Sequence, residues 1–380
     1  MTPYVSYLVV AAVILPTVMG SITLLALRHR LGVSRVVSIA SCAALVAIAA
    51  ALTVHASGGT TESYALGNWR APFGIVLVLD RLSAMMLLLT AVLALAVMAY
   101  SVLTGVDRKG WHFHPLFQFQ LLGLNGAFLT GDLFNLFVFF EVLLIASYVL
   151  MLHGQGKTRL RVGLHYVVLN LAASALFLIG VSLLYAKTGT LNFADLALRV
   201  PMVTGPDAAL LKAGALLLLV VFGFKAALAP LSMWLPATYA ASSAPVAALF
   251  AIMTKVGVYA ILRVHGVIFG DEAGDSARVA EPLLLTLALL TSVLGVMGAL
   301  AAHTLERLVA WLTVASVGTV LVAVGLYDTA AWSAALYYMV NSTLVVAGLF
   351  LLAELVAAQR GDAADQLRPA SPVAQPTVLG

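Results

Sequence analysis

Leu210 to Tyr239 reads LLKAGALLLLVVFGFKAALAPLSMWLPATY, and how this stretch is divided decides the fold. As one straight helix it would run about 45 Å, well beyond the roughly 30 Å apolar layer of a bilayer. Pro230 and Pro236 each remove a backbone donor. The spacing predicts a discontinuous membrane helix, broken at Pro230 and Pro236. Unwound backbone at membrane depth is tolerated only where protein covers it or it lines a cavity, and transporter sites are built from such helices. The competing reading is a helix ending near Pro230 and a surface segment over Leu231–Ser243, with Trp234 and Tyr239 at the membrane interface.

The rest of the chain fits a membrane setting. Hydrophobic residues make up 62% of the 380 positions and DEKR residues 9%, against about 25% charged in a soluble domain. The fold class is therefore all-α and polytopic. Eleven apolar segments are expected, near 4–27, 36–56, 82–104, 115–130, 132–153, 162–186, 209–238, 244–263, 282–303, 308–327 and 331–356. The fourth and fifth are divided only by Gly131 and Asp132. The net charge of +4 is spread over short loops, which argues for orientation in the membrane and against a nucleic-acid partner. Arg28, Arg30, Arg35, Arg108, Lys109, Lys157, Arg159 and Arg161 gather on one side, which predicts an outside N-terminus and a cytoplasmic C-terminus. No basic residue precedes the first apolar run, so that run is expected to be a retained helix and not a signal peptide. Cys42 is the single cysteine and lies in an apolar segment, which leaves no internal disulfide and no cysteine metal site.

Three ionisable residues sit inside the apolar segments. Glu141 lies in Leu136-Phe-Val-Phe-Phe-Glu-Val-Leu-Leu-Ile, with apolar neighbours at three and four residues, so its partner must come from another helix. Lys225 precedes Pro230 by five residues, and Lys255 is deep in the 244–263 segment. Insertion scales put a charge at the bilayer centre at about 2.5 to 3.5 kcal/mol, so such residues face protein or water and mark ion paths. Snorkelling competes for Lys225 if its helix stops at Pro230, whereas the depth of Lys255 makes it difficult there. A desolvated lysine suits the binding and release of a proton. Together with the broken helix, the trio implies ion translocation.

The other polar residues point less clearly. His29, His112, His114, His153 and His265 fall at segment ends, where a solvated histidine is the common outcome. His165 and His303 are candidate relay members just inside segments. Asn125, Asn135, Asn170 and Asn341 are read first as interhelical hydrogen-bonding residues. The facing histidine pairs of a haem bundle are missing from the sequence. No cofactor and no metal is implied.

Several runs carry a family resemblance. Gly67-Asn-Trp-Arg-Ala-Pro-Phe-Gly-Ile with Leu79-Asp-Arg-Leu-Ser-Ala, Asp132-Leu-Phe-Asn-Leu-Phe-Val-Phe-Phe-Glu-Val, Lys225-Ala-Ala-Leu-Ala-Pro-Leu-Ser-Met-Trp-Leu-Pro, and Ala244-Pro-Val-Ala-Ala-Leu followed by Lys255-Val-Gly-Val-Tyr resemble the proton-conducting antiporter-like family. That family comprises large subunits of Mrp-type sodium/proton antiporters and pumping subunits of respiratory complex I. Phe139-Phe-Glu-Val-Leu-Leu-Ile-Ala-Ser-Tyr and Asn341-Ser-Thr-Leu-Val-Val-Ala-Gly-Leu-Phe-Leu-Leu-Ala-Glu look most like the D subunit of Mrp antiporters.

The resemblance implies a secondary transporter subunit, not an enzyme, working with other membrane subunits on protons and sodium or another monovalent cation. By it, Glu141 modulates Lys225, and a proton passes from Lys225 toward Lys255. Moving a carboxylate from about 4 Å to about 10 Å at an effective dielectric near 20 changes such an interaction by roughly 2.5 kcal/mol. The resemblance also implies three N-terminal helices over 1–114, a first five-helix repeat over 115–263, an incomplete second repeat over 264–358 and a polar cytoplasmic tail over 359–380. Family members have about fourteen helices, so a fragment, a split product or a shortened subunit is expected. Asn341 stands where the motif usually has histidine, which weakens it as a relay. The alternative function is a pumping subunit of complex I or a membrane-bound hydrogenase; a third reading is a non-transporting scaffold.

Overall fold

The computed structural model describes residues 3–69, 71–110 and 112–360. The tail expected over 359–380 therefore falls almost wholly outside the described residues, as does Arg70 of the Gly67 motif.

The chain opens with α1 (Pro3–Leu25) and α2 (Leu31–Ala56). A two-stranded antiparallel hairpin follows, β1 (Glu62–Ala65) with β2 (Val76–Leu79), in register Glu62 to Leu79. It is a small exception to the all-helical expectation. Then come α3 (Arg81–Thr104), α4 (Phe113–Leu129), α5 (Leu133–Met151), α6 (Lys157–Thr188) and a short α7 (Phe193–Arg199). The remainder is α8 (Pro206–Ala226), α9 (Trp234–Ala241), α10 (Ala244–Phe250), α11 (Met253–Ile261), α12 (Glu281–Leu300), α13 (Leu305–Gly325) and α14 (Thr329–Arg360). Among the described residues, ten segments are long and apolar enough to cross a membrane. The 17-residue α4 is the eleventh element of the bundle.

The division between the fourth and fifth segments holds. Asp132 N-caps α5 by accepting from the Asn135 amide at 2.8 Å, so the chain reverses over Thr130, Gly131 and Asp132. Small residues make the reversal tight: Gly123 faces Leu143 and Gly126 faces Phe139 with no room for a Cβ, the antiparallel pattern of close helix approach.

Loop contacts sort into two ends. At one end Leu77 bridges to Thr130, Asp132 bridges to Asn192, and the Gly205 amide reaches Asp275. At the other, His153 bonds the Val106 carbonyl, and Arg159 donates to the Ala241 and His153 carbonyls at 2.7 Å each. These contacts agree with eleven crossings and with no fusion of the fourth and fifth. One continuous apolar core joins all the long helices.

Candidate functional site

The Leu210–Tyr239 stretch is discontinuous. Helix α8 stops at Ala226, Ala227 adopts a left-handed conformation (φ 61°, ψ 42°), and Leu231–Met233 form a single 3-10 turn before α9. The freed backbone groups find partners: Trp234 Nε1 donates to the Phe224 carbonyl at 3.1 Å, and the Ala229 amide donates to Thr291 Oγ1 at 2.8 Å. Trp234 and Tyr239 are buried, at 7% and 1% exposure, so the surface-segment reading fails. Pro230 lies within the break, but Pro236 rides in the first turn of α9, where a missing N–H costs little. Only one of the two expected break residues is therefore at the break.

The next segment is broken as well, which the sequence pattern does not signal. Helix α10 ends at Phe250, Ala251 and Ile252 pass in tight turns bonding three residues back, and α11 begins at Met253. Tyr239 Oη donates to the Phe250 carbonyl at 2.7 Å. Lys255 thus lies in the first turn of α11, immediately beyond this second interruption. Past α11 the chain widens into a π-helical stretch, Leu262–Ile268.

The three sequence-predicted ionisable residues fall on packed, adjacent elements. Lys225, in the last turn of α8, donates to Asn170 Oδ1 on α6 at 3.0 Å, with its ammonium 6.0 Å from the Phe140 ring centroid. Glu141 on α5 is half-buried and accepts a hydrogen bond from Ser174, also on α6. Among the described residues Glu141 and Lys225 form no direct ion pair; each is bonded to α6 instead. Lys255 is 1% exposed and donates to Ser316 Oγ on α13 at 3.2 Å. A void of about 20 Å³ touches Lys225, Asn170 and Tyr166 on one side and Met253 and Val256 of α11 on the other. That volume accommodates one water molecule. Backbones also meet here, since Gly257 faces the Ala226 amide and the Phe222 carbonyl.

The candidate relay residues stand apart. His165 is exposed on α6, His303 is exposed in the loop between α12 and α13, and Asn341 is exposed on α14. Among the described residues, no hydrogen bond ties any of the three to Lys225 or Lys255. Conversely, His114, His153 and His265, expected at solvated ends, are 3%, 7% and 1% exposed. His114 joins a buried cluster in which Arg35 grips Asp107 at 2.6 and 2.7 Å and His114 Nε2 lies 3.1 Å from the same carboxylate. Burial acts to raise the Asp107 pKa, but the hydrogen bonds from Arg35 and His114 outweigh it and hold the carboxyl below its ordinary range. Ser174, Ser316 and Tyr166 carry no sequence signal; a serine in an apolar helix is too common to mark. Asn170, expected to form an interhelical hydrogen bond, forms it with Lys225.

A second cavity, of about 410 Å³, opens between the α9–α10 junction, α14 and the start of α13. Arg159, Arg307, Glu306 and Glu354 line it, with Tyr239 and Phe350 deeper.

In sequence and in fold the chain is similar to known proteins. The model of the family described as NADH:quinone oxidoreductase/Mrp antiporter, TM, aligns with residues 130–375. The chain is 46% identical over 372 residues to the D subunit of a probable K(+)/H(+) antiporter of Rhizobium meliloti (strain 1021), covering 97% of this chain and 69% of that protein. It is 41% identical over 350 residues to the D subunit of the Na(+)/H(+) antiporter of Alkalihalophilus pseudofirmus, covering 91% and 69%. In structure it superposes on a chain of the Mrp complex from Dietzia sp. DQ12-45-1b with a TM-score of 0.83 and 31% identity, covering 95% of this chain and 65% of that one. The chain thus spans about two thirds of the length of the proteins it matches. With the family model spanning well over half its length, and D-subunit relatives at these identities, this chain is a member of the NADH:quinone oxidoreductase/Mrp antiporter membrane-subunit family.

Proposed function

We propose that this chain is a proton-translocating membrane subunit of a multisubunit antiporter that exchanges a monovalent cation, sodium or potassium, for protons. The observation that carries this reading is the placement of Lys225 and Lys255 on helices in backbone contact. Each ammonium is bonded to a neutral side chain, and a water-sized void lies between Lys225 and α11. Among the described residues neither amine is locked to a carboxylate, so each can give up its proton. Glu141 supplies a movable field on Lys225, and the proton passes from Lys225 through the void toward Lys255. The relatives' names, which give the D subunit of a cation/proton antiporter, support exchange over a redox-driven pump.

Residues 115–263 form the first antiporter repeat in this reading, with 1–114 preceding it and 264–358 belonging to the second. The chain lies in the plasma membrane with its N-terminus outside and its C-terminus in the cytoplasm. The positively charged loops 28–35, 105–112 and 152–161 share the expected cytoplasmic side, and the Arg35–Asp107 and His153–Val106 contacts support that grouping. The other subunits of the complex supply the remaining partners.

The test is cation-dependent proton flux in vesicles carrying the complete complex, with wild type beside Lys225→Ala, Lys255→Ala and Glu141→Ala. Exchange should collapse in both lysine variants and fall in the glutamate variant. Undiminished exchange in all three would overturn the proposal.

A further inference from the structure

Helix α6 carries a polar stripe that faces the Glu141–Lys225 pair. Tyr166, Asn170 and Ser174 follow one another at intervals of four residues, which puts them on one helix face. Tyr166 and Ser174 are 1% and 8% exposed, and Asn170 is 1% exposed. Ser174 donates to the Glu141 carboxylate. One turn away, Asn170 Oδ1 accepts from Lys225 Nζ at 3.0 Å while its Nδ2 donates to the Tyr166 carbonyl at 2.9 Å. The second bond fixes which way the amide points and so presents the oxygen, not the NH2, to the lysine. Tyr166 Oη in turn lies 3.0 Å from Ser147 Oγ on α5.

We infer that Asn170 and Ser174 are positioning residues that hold Glu141 and Lys225 apart, so that α6 sets how strongly the carboxylate acts on the amine. Two opposite charges in a dry interior attract strongly at contact and much less a few ångströms farther apart. A competing neutral partner for each, carried on one rigid helix, keeps the pair in the separated arrangement seen here. Rotating Lys225 away from Asn170 toward Glu141 exchanges one hydrogen bond for an ion pair, and rotating it back frees the ammonium to act on the void beside α11. The ionisable groups facing this stripe are Glu141 and Tyr148 from α5, Lys225 from α8 and Tyr239 from α9, with Tyr166 on α6 itself.

The inference rests on the proposed proton path, and the experiment separates the two. Reconstituted complex is assayed for exchange across a range of pH with Ser174→Thr and Ser174→Val, which share a shape and differ by the hydroxyl, and with Asn170→Leu, each made in wild type and in a Glu141→Gln background. Subunit co-purification reports assembly. The expected result is that Ser174→Thr keeps the wild-type pH profile. Ser174→Val and Asn170→Leu should shift that profile and lower exchange by on the order of tenfold, the scale of one hydrogen bond to a charged group. In Glu141→Gln the Ser174→Val effect should disappear, because the coupled partner is gone. Equal behaviour of Ser174→Thr and Ser174→Val, or full activity of both Ser174→Val and Asn170→Leu while Lys225→Ala is inactive, overturns the inference and leaves the path standing. Full activity of Lys225→Ala and Glu141→Gln overturns the path itself. Poor assembly of Asn170→Leu and Ser174→Val with Ser174→Thr equally impaired means that the stripe is packing alone, which also overturns the inference.

Discussion

Arg263 reaches from the π-helical stretch that follows Lys255 to grip Asp80 with two nitrogens, at 2.5 and 2.7 Å. Its Nε also donates to Tyr259 Oη at 2.9 Å, and Tyr259 Oη donates to the Phe128 carbonyl at 2.6 Å. Asp80 meanwhile N-caps α3 by accepting from the Ser83 amide at 2.8 Å. One ion pair thus ties the far end of the Lys255 segment to α3 and, through Tyr259, to α4. The Arg263 and Asp80 side chains are 11% and 19% exposed, so removing one leaves a largely buried charge. Arg263→Ala is expected to destabilise the protein by about 2 to 4 kcal/mol, near the cost of breaking a buried pair. Asp80→Ala should cost about 1 kcal/mol more, through the lost cap. Thermal unfolding of the detergent-solubilised complex measures both. The double variant should be less damaged than the sum of the singles, and strict additivity would count against the coupling.

The Asp107 cluster makes a pH prediction. Asp107 is fully buried, and burial alone would disfavour its charge, yet the bonds from Arg35 and His114 hold its folded pKa below the ordinary value. A depressed folded pKa means that its contribution is present above the unfolded value, near 3.9, and is lost as pH falls through the folded value. Asp107→Asn should therefore lower stability at pH 7 by about 2 kcal/mol. The gap between variant and wild type should begin to narrow as pH falls below about 4 and vanish only once pH is below the depressed folded value. Melting curves between pH 3 and pH 8 check it, and a gap that persists unchanged to pH 3 would sink the assignment.

Much of this is legible in the sequence, because the strongest signals are energetic. A charge in a long apolar run is costly enough that Glu141, Lys225 and Lys255 have to mark something, and an overlong segment with a proline near its middle has to be interrupted, as it is around Pro230. Where the break falls is less legible. Ala227 takes the left-handed conformation that glycine would advertise, so helix α8 ends with no local punctuation. The α10–α11 interruption is likewise written in ordinary residues, Ala251 and Ile252, and is held from outside by Tyr239. The burial of His265 escapes a hydropathy reading, which marks a segment's end but not what covers it. Asn170 is legible as an interhelical hydrogen-bonding residue, but its pairing with Lys225, and the parts played by Ser174 and Ser316, emerge only once α5, α6, α8, α11 and α13 are brought together.

Lys255 donates to Ser316 Oγ, and that hydroxyl donates onward to the Thr313 carbonyl at 2.8 Å. With its donor direction committed, the hydroxyl offers Lys255 an acceptor. Ser316→Ala should slow exchange by a few-fold up to about tenfold, the range for one hydrogen bond to a charged group, without loss of assembly. Lys255→Arg should be far worse than its charge suggests, since a planar guanidinium cannot surrender its proton and does not fit a site closed around an ammonium. Flux measurements on the two variants, normalised to assembled complex, decide the matter. An active Lys255→Arg would mean that position 255 needs only a fixed positive charge.

The contact of Gly257 with α8 offers the sharpest separation of packing from chemistry. A Cβ added at Gly257 would come within 2.5 Å of the Ala226 amide nitrogen and 2.7 Å of the Phe222 carbonyl oxygen. Both are backbone atoms that no side-chain rotation can clear. Gly257→Ala must therefore push α11 away from the end of α8, at about 1 to 3 kcal/mol for overpacking. It replaces neither lysine, yet it widens the gap that the proposed proton path crosses. Transfer over a hydrogen-bonded water depends on donor and acceptor staying within about 2.6 to 3.2 Å of it, so a displacement of an ångström breaks the chain. Exchange should fall by at least about tenfold while the complex still assembles and melts only a few degrees lower. Wild-type exchange in an assembled Gly257→Ala complex would show that the proton does not pass across the α8–α11 contact.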